Sequence, residues 1–124
     1  MTVAGHRHER IAEEIHHEIS AMVAGELKAP RIIGLVTVTE VRVSPDLKLA
    51  RIFVSVLGSE EEHASTLKGL AAAAGFVRRE LGVRLQMRRS PELLFIDDRS
   101  EEYKQRIDEL LREEWLDRLI EMGV

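Results

Sequence analysis

Apolar side chains recur at steps of three and four residues near the start of the chain, at Ile11, Ile15, Ile19, Met22, Val23 and Leu27. This spacing predicts a helix over residues 8–27 with one buried stripe. We expect the helix to end at Lys28-Ala29-Pro30, because proline disfavours helical geometry in the residue before it and has no N–H for a continuing helix.

Two stretches of alternating apolar and polar residues follow, as in half-buried strands. The first, over residues 32–44, contains the valines Val36, Val38, Val41 and Val43. The first two valines are out of phase with the last two, and one extra residue near 39–40, a β-bulge, returns all four to the core side. Turn residues at 44–46 lead to a second strand over residues 50–56, so the pair predicts an antiparallel hairpin.

A second helix is predicted from Ser59, which resembles an N-cap because three glutamates that suit the helix dipole follow it. Its apolar spacing runs to Gly75 and resumes until Gly82. Glycine inside a helix costs about 1 kcal/mol relative to alanine, so we expect a kink or a break at Gly75.

Alternation after Gly82 predicts a third strand, with Val83, Leu85 and Met87 on one face and Arg84 and Arg88 on the other. Extended chain continues after Ser90-Pro91. A charged helix then begins at Ser100 as the predicted N-cap, with Tyr103, Ile107, Leu110, Leu111 and Leu119 near one side.

These elements predict a single α+β domain, because 124 residues fit one core. The predicted order is helix, strand, strand, kinked helix, strand, with a three-stranded sheet packed on helices and a C-terminal helix added. The absence of cysteine excludes disulfides and thiolate chemistry, and no apolar run approaches the roughly 20 residues that cross a bilayer. We therefore expect a cytoplasmic protein without a membrane partner.

Charge is unevenly distributed along the chain. The net charge is −4, and residues 100–124 supply all of it with 8 acidic and 4 basic side chains. In contrast, residues 78–89 hold five arginines against Glu80 alone, an excess of the kind that attracts a phosphate backbone. A solvated charged face is the alternative interpretation. We divide the chain into residues 1–99, the binding domain, and residues 100–124, an acidic helical extension.

Two catalytic or metal-binding interpretations have weaker support. The pairs His6 with His8 and His16 with His17 lack the i, i+3 or i, i+4 spacing of a metal site. Asp97-Asp98 follows an apolar stretch and suits a turn or a helix cap better than a metal-dependent hydrolase, because no phosphate loop or nucleophile elbow accompanies it. We expect no cofactor and no metal. A module that binds a protein partner through the C-terminal helix remains the alternative function.

Several segments together resemble the ribosome-binding factor A family of bacteria. They are Lys28-Ala29-Pro30-Arg31, Val36-Thr37-Val38-Thr39, Val43-Ser44-Pro45-Asp46-Leu47, Ala73-Ala74-Gly75-Phe76-Val77-Arg78 and Arg88-Arg89-Ser90-Pro91-Glu92-Leu93-Leu94-Phe95. The resemblance implies a type II KH-like fold in which a helix kink at Ala73, Ala74 and Gly75 replaces the Gly-x-x-Gly loop of ordinary KH domains, which clamps nucleic-acid backbone.

The resemblance also implies a non-enzymatic role in ribosome biogenesis. The expected partner is the free 30S subunit, where the protein promotes late processing of 16S rRNA and supports growth in the cold. Release by a ribosome-dependent GTPase or an initiation factor is expected, as is a monomeric state. The residues assigned to RNA contact are Lys28, Arg31, Arg78, Arg79, Arg84, Arg88 and Arg89, and no catalytic residue is assigned.

Overall fold

A computed structural model describes residues 7–25 and 35–123. The elements are α1 (Arg7–Gly25), β1 (Leu35–Val43), β2 (Leu49–Leu57), α2 (Glu60–Arg84), β3 (Glu92–Asp97) and α3 (Ser100–Glu121). The predicted α+β architecture with one three-stranded sheet is confirmed. The predicted end of the first helix, at Lys28-Ala29-Pro30, lies outside the described residues.

The antiparallel hairpin of β1 and β2 contains the predicted bulge. Val38 pairs with Val54 and Glu40 pairs with Phe53, so Thr39 is the extra residue on β1. Val38 and Val41 are both buried as a result, although an uninterrupted strand would place them on opposite faces. The bulge therefore turns the whole valine set towards the core.

The strand β3 lies beside β2 and runs parallel to it, with α2 as the crossover between them. The core lies between the helices α1 and α2 and the sheet. Its fully buried members are Ile15, Ile19, Met22, Ala50, Ile52, Val54, Leu70, Val77 and Leu81. Within the described ranges, no helix is long and apolar enough to span a membrane.

The helix α2 begins as predicted and then departs from the prediction. Ser59 is its N-cap and forms a capping box with Glu62. Of the kink or break expected at Gly75, the break is absent, because helical backbone continues without interruption to Arg84. The fully buried side chains of Val77 and Leu81 lie beyond Gly75, and their burial outweighs the roughly 1 kcal/mol that one glycine costs a helix.

The predicted strand over residues 83–88 is also wrong, because the chain there completes α2 and turns. The N–H of Met87 donates to the Gly82 carbonyl at 2.9 Å and that of Gln86 to the Val83 carbonyl at 3.3 Å. These are the two bonds of a Schellman motif, with Gln86 in the left-handed position at φ 50°. Glycine usually occupies that position, so the sequence carries no signal for the end of this helix. Gly82 suggested an end, but the helix continues past it.

The helix α3 starts at Ser100, but Ser100 is not its N-cap. The N-cap is Arg99, and the Asp98 carboxylate accepts hydrogen bonds from the backbone N–H of Ser100 at 2.9 Å and from its hydroxyl. Hydrogen bonds from Ser100 and Thr39 hold the pKa of Asp98 below its usual range. The turn or cap role expected of Asp97 and Asp98 is confirmed for Asp98, whereas Asp97 instead accepts from His63 and Arg99. No residue of α3 is buried.

We expect Gln86→Gly to stabilise the fold by about 0.5–1 kcal/mol, because glycine adopts positive φ without the strain that a side chain brings. Urea denaturation should give a higher midpoint with an unchanged slope. Gln86→Ala is the matched control, since alanine keeps the Cβ that causes the strain. Equal stability of the glycine and alanine variants would contradict the assigned strain.

Candidate nucleic-acid interface

The last turns of α2 and the loop 85–91 place four arginines around one shallow depression of about 650 Å³. It is lined by Arg78, Arg79, Gly82, Val83, Met87, Arg88, Arg89 and Ser90. On a helix, Arg78, Arg79 and Gly82 lie on neighbouring faces, whereas Arg88 and Arg89 reach the same place from the loop. We call the group Arg78, Arg79, Arg88 and Arg89 the arginine surface. All four side chains are exposed.

The loop is fixed to α2 through Ser90. Its hydroxyl donates to the Arg78 carbonyl at 2.8 Å, while Nε and Nη2 of Arg78 both donate to the Ser90 carbonyl at 3.1 Å. Gly82 allows this approach, because a Cβ at that position would lie 3.0 Å from Ser90 Oγ. Arg78 therefore also holds the loop in place, a role that its sequence neighbourhood does not indicate.

The charges of Arg79, Arg88 and Arg89 have no partner among the residues that the structure describes. Within the part of the chain that the structure describes, none of the three forms an ion pair. Three uncompensated guanidinium groups around a fixed loop make a local positive field in a chain that is negative overall. Guanidinium groups also match the geometry of phosphate oxygens, so this surface suits a nucleic-acid backbone.

Arg84 does not belong to the arginine surface. Its Nη1 lies 3.3 Å from Glu18 on α1 and its Nε lies 3.4 Å from Glu80, with only a quarter of the side chain exposed. As the last residue of α2 rather than part of a strand, it lies on a different face from Arg78 and joins the two helices. Lys28 and Arg31 lie outside the described residues.

The three residues assigned to the helix motif lie within the continuous α2. Ala73 packs against the core, whereas Gly75 is exposed, and a Cβ added there would meet nothing within 4 Å. The fold itself therefore gives no packing reason for glycine at this position.

A second depression, of about 700 Å³, adjoins the arginine surface and shares Arg78, Arg89 and Ser90 with it. It adds Lys48, which no pattern in the sequence singled out. Lys48 lies near Ser90 because its carbonyl accepts the N–H of Glu92 at 2.8 Å, where β3 begins beside β2. Asp46 also lines this depression, and a hydrogen bond from the Ser44 hydroxyl lowers the pKa of its carboxyl. Because Asp46 places a negative charge in the second depression, the positive charge is concentrated at the arginine surface.

The carboxylates at the end of β3 are engaged within the protein. Asp97 accepts from Nδ1 of the buried His63 at 2.9 Å and from Nε of Arg99 at 3.0 Å, and Asp98 caps α3. No cluster of three or more potential metal ligands occurs among residues 7–25 and 35–123. The hydrolase interpretation thus has no metal site in the described structure to support it.

Known proteins resemble this chain in sequence and in fold. The family Ribosome-binding factor A matches residues 7–111. A ribosome-binding factor A from Acetivibrio thermocellus is 51% identical over 107 residues, which cover 86% of this chain and 87% of the relative.

Two structures of the Thermus thermophilus ribosome-binding factor A resemble the fold. Its crystal structure has a TM-score of 0.64 at 27% identity and covers 75% of this chain and 98% of that chain. A homology model fitted into a cryo-EM map of its 30S complex has a TM-score of 0.59 at 28% identity and covers 71% and 91%. The family match includes the hairpin, all of α2 and the arginine surface, and the chain therefore belongs to the ribosome-binding factor A family.

Proposed function

We propose that this protein is a non-enzymatic assembly factor that binds the free 30S subunit through the arginine surface and promotes late maturation of 16S rRNA. The observation that carries the proposal is the set of three arginines without internal partners in the described structure, held around one loop of a ribosome-binding factor A fold. The Thermus thermophilus relative fitted into a map of a 30S complex supports the choice of partner.

The surface favours contacts with phosphates over the reading of bases. Aromatic residues make up 4% of the chain, and the lining of the arginine surface contains none. Proteins that read unpaired bases usually stack them on aromatic rings, whereas cations and backbone N–H groups position a phosphate backbone without regard to sequence. Shape and charge of folded rRNA would then determine where the protein binds.

The remaining parts of the proposal rest on the charge distribution, the absence of cysteine and the family resemblance. Residues 1–99 act as the binding domain and residues 100–124 as an acidic helical extension. The protein acts as a monomer in the cytoplasm, without a cofactor, and leaves the subunit with the help of a ribosome-dependent GTPase or an initiation factor.

The second candidate function is a protein-interaction module based on α3. This helix exposes large apolar side chains along its length, of which Trp115 and Ile120 are among the most exposed. Light scattering across a concentration series separates the two candidates, because a self-associating module gains mass with concentration and a monomeric 30S factor does not.

We expect the triple variant Arg79→Ala, Arg88→Ala, Arg89→Ala to bind 30S subunits at least about tenfold more weakly. Each lost phosphate contact removes about one unit from the slope of log affinity against log salt, so the slope should fall by about 3. Sedimentation of the purified protein with 30S subunits across a salt series measures both quantities.

The charge-matched control for this variant is Arg7→Ala, Arg10→Ala, Arg51→Ala, which removes three exposed arginines that do not line the depression. Its affinity should remain close to that of the unmodified protein. Equal losses in the two triple variants would mean that net charge, and not the arginine surface, governs binding.

Ser90→Ala should weaken 30S binding several-fold although it removes no charge. The substitution deletes the hydrogen bond to the Arg78 carbonyl, worth about 1 kcal/mol, and loosens the loop that presents Arg88 and Arg89. Ser100→Ala is the control, since its hydroxyl also donates a hydrogen bond but lies at the start of α3. Unaltered 30S affinity of Ser90→Ala would show that loop fixation is irrelevant to binding.

Gly75→Ala should raise the stability of the fold by about 0.5–1 kcal/mol, because the new methyl group meets open space and alanine favours a helix. We expect the same variant to bind 30S more weakly, since a small exposed residue permits close approach of the rRNA backbone. Ala64→Gly, an exposed position earlier in α2, should lower stability without affecting binding. If Gly75→Ala binds normally, Gly75 lies outside the interface.

A further inference from the structure

His63 is the most deeply buried titratable side chain among the described residues, and the proposed function does not use it. It lies in the first turns of α2 with 3% of its surface exposed. Its Nδ1 lies 2.9 and 3.1 Å from the two carboxylate oxygens of Asp97, and its Nε2 lies 3.6 Å from a carboxylate oxygen of Glu102. One imidazole ring thus has a carboxylate beside each of its nitrogens.

The charged groups near His63 come from α2, β3, α3 and a residue between the last two. From α2 itself comes Glu60, from the end of β3 comes Asp97, and from α3 comes Glu102. Arg99, between β3 and α3, donates to Asp97 at 3.0 Å and to Glu60 at 2.8 Å, and its Nη1 lies 3.8 Å from Glu102. Hydrogen bonds to Glu60 and then Asp97 raise the pKa of Arg99 above its usual range, so it stays positive.

The charge state of His63 decides what it can do for Glu102. A protonated imidazole has two N–H groups and attracts both carboxylates, whereas a neutral imidazole has one N–H and one lone pair. Since the Nδ1 hydrogen is held by two oxygens of Asp97, the neutral ring turns its Nε2 lone pair towards the Glu102 carboxylate. That pairing is repulsive, so Glu102 loses its partner on α2 when the proton leaves.

We infer that His63 is a proton-dependent latch that ties the first turn of α3 to the body of the protein through Glu102. The latch is closed when His63 is protonated and opens as pH rises and the proton leaves. Because no residue of α3 is buried, this contact and those of Arg99 are among the few that attach the helix to the rest of the protein.

The motion of Trp115 tests the inference directly. It is the only tryptophan in the chain and lies on α3, so its time-resolved fluorescence anisotropy measures the mobility of that helix alone. Between pH 5.5 and 8.5, we expect the amplitude of the fast, segmental component to rise in a single one-proton step. An amplitude that does not change with pH would overturn the latch.

Glu102→Gln identifies the partner of His63. The glutamine keeps the length of the side chain but removes the charge that His63 attracts, and Glu102 is more than half exposed, so folding should be unaffected. We expect the pH step to disappear, because the glutamine amide can accept from the protonated imidazole and donate to the lone pair of the neutral one. Glu101→Gln is the matched control, because it removes the same charge one residue away, and it should keep the step.

His63→Gln provides a second variant if it folds, and it should also lose the step. Retention of the full step in Glu102→Gln, or its loss in Glu101→Gln, would contradict the assigned contact. The result does not depend on ribosome binding, so failure of the latch and failure of the proposed function are distinguishable.

Discussion

Burial of one face of α2 against the sheet is the constraint on which the rest of the structure depends. Leu70, Val77 and Leu81 are completely buried along this helix, and together they keep it helical across Gly75 and Gly82. As the crossover between two parallel strands, α2 also fixes where β3 starts and ends relative to β2. The loop with Ser90 forms at one end of the helix, and the His63 cluster forms at the other.

Arginines that are close in sequence divide into different roles because of this helix. Arg79 has no partner within the described structure, and Arg78 donates two hydrogen bonds to the loop. The charge of Arg84 is balanced by carboxylates on two helices. The number of basic residues in a sequence cluster therefore exceeds the number that can contact a phosphate backbone. What makes the surface suitable for RNA is the combination of free guanidinium groups with a loop that is already fixed, because less ordering is required on binding.

The two ends of α3 differ in how they relate to the body. Its first turn is joined to α2 and β3 through Asp98, Arg99 and Glu102, whereas the rest of the helix has no buried residue. Such a helix derives no stability from a packed apolar face, and its own propensity and the contacts of its first turn must hold it. The contacts at its base therefore bear on the whole helix.

The sequence by itself determined the features that depend on local chemistry and on period. The valine phase located the bulge near residues 39–40, Ser59 with the glutamates after it located the start of α2, and Asp98 was correctly expected to form a turn or a helix cap. The family resemblance is likewise carried by short segments in order. The sequence misled where a local signal competed with burial. Gly75 and Gly82 suggested a break and an end of the helix, and the alternation of Val83, Leu85 and Met87 suggested a strand. The helix instead continues to Arg84.

Only the tertiary structure decided which residues meet across long separations. The pairing of β2 with β3 places Lys48 beside the arginine surface, whereas the contact with Glu18 holds Arg84 away from it. His63 contacts Asp97, which is 34 residues distant in the sequence. No pattern of spacing encodes these contacts, because they arise from the way in which separate elements pack together. Periodicity specifies which face of an element is buried, while packing of the complete core specifies what that face and its neighbours contact.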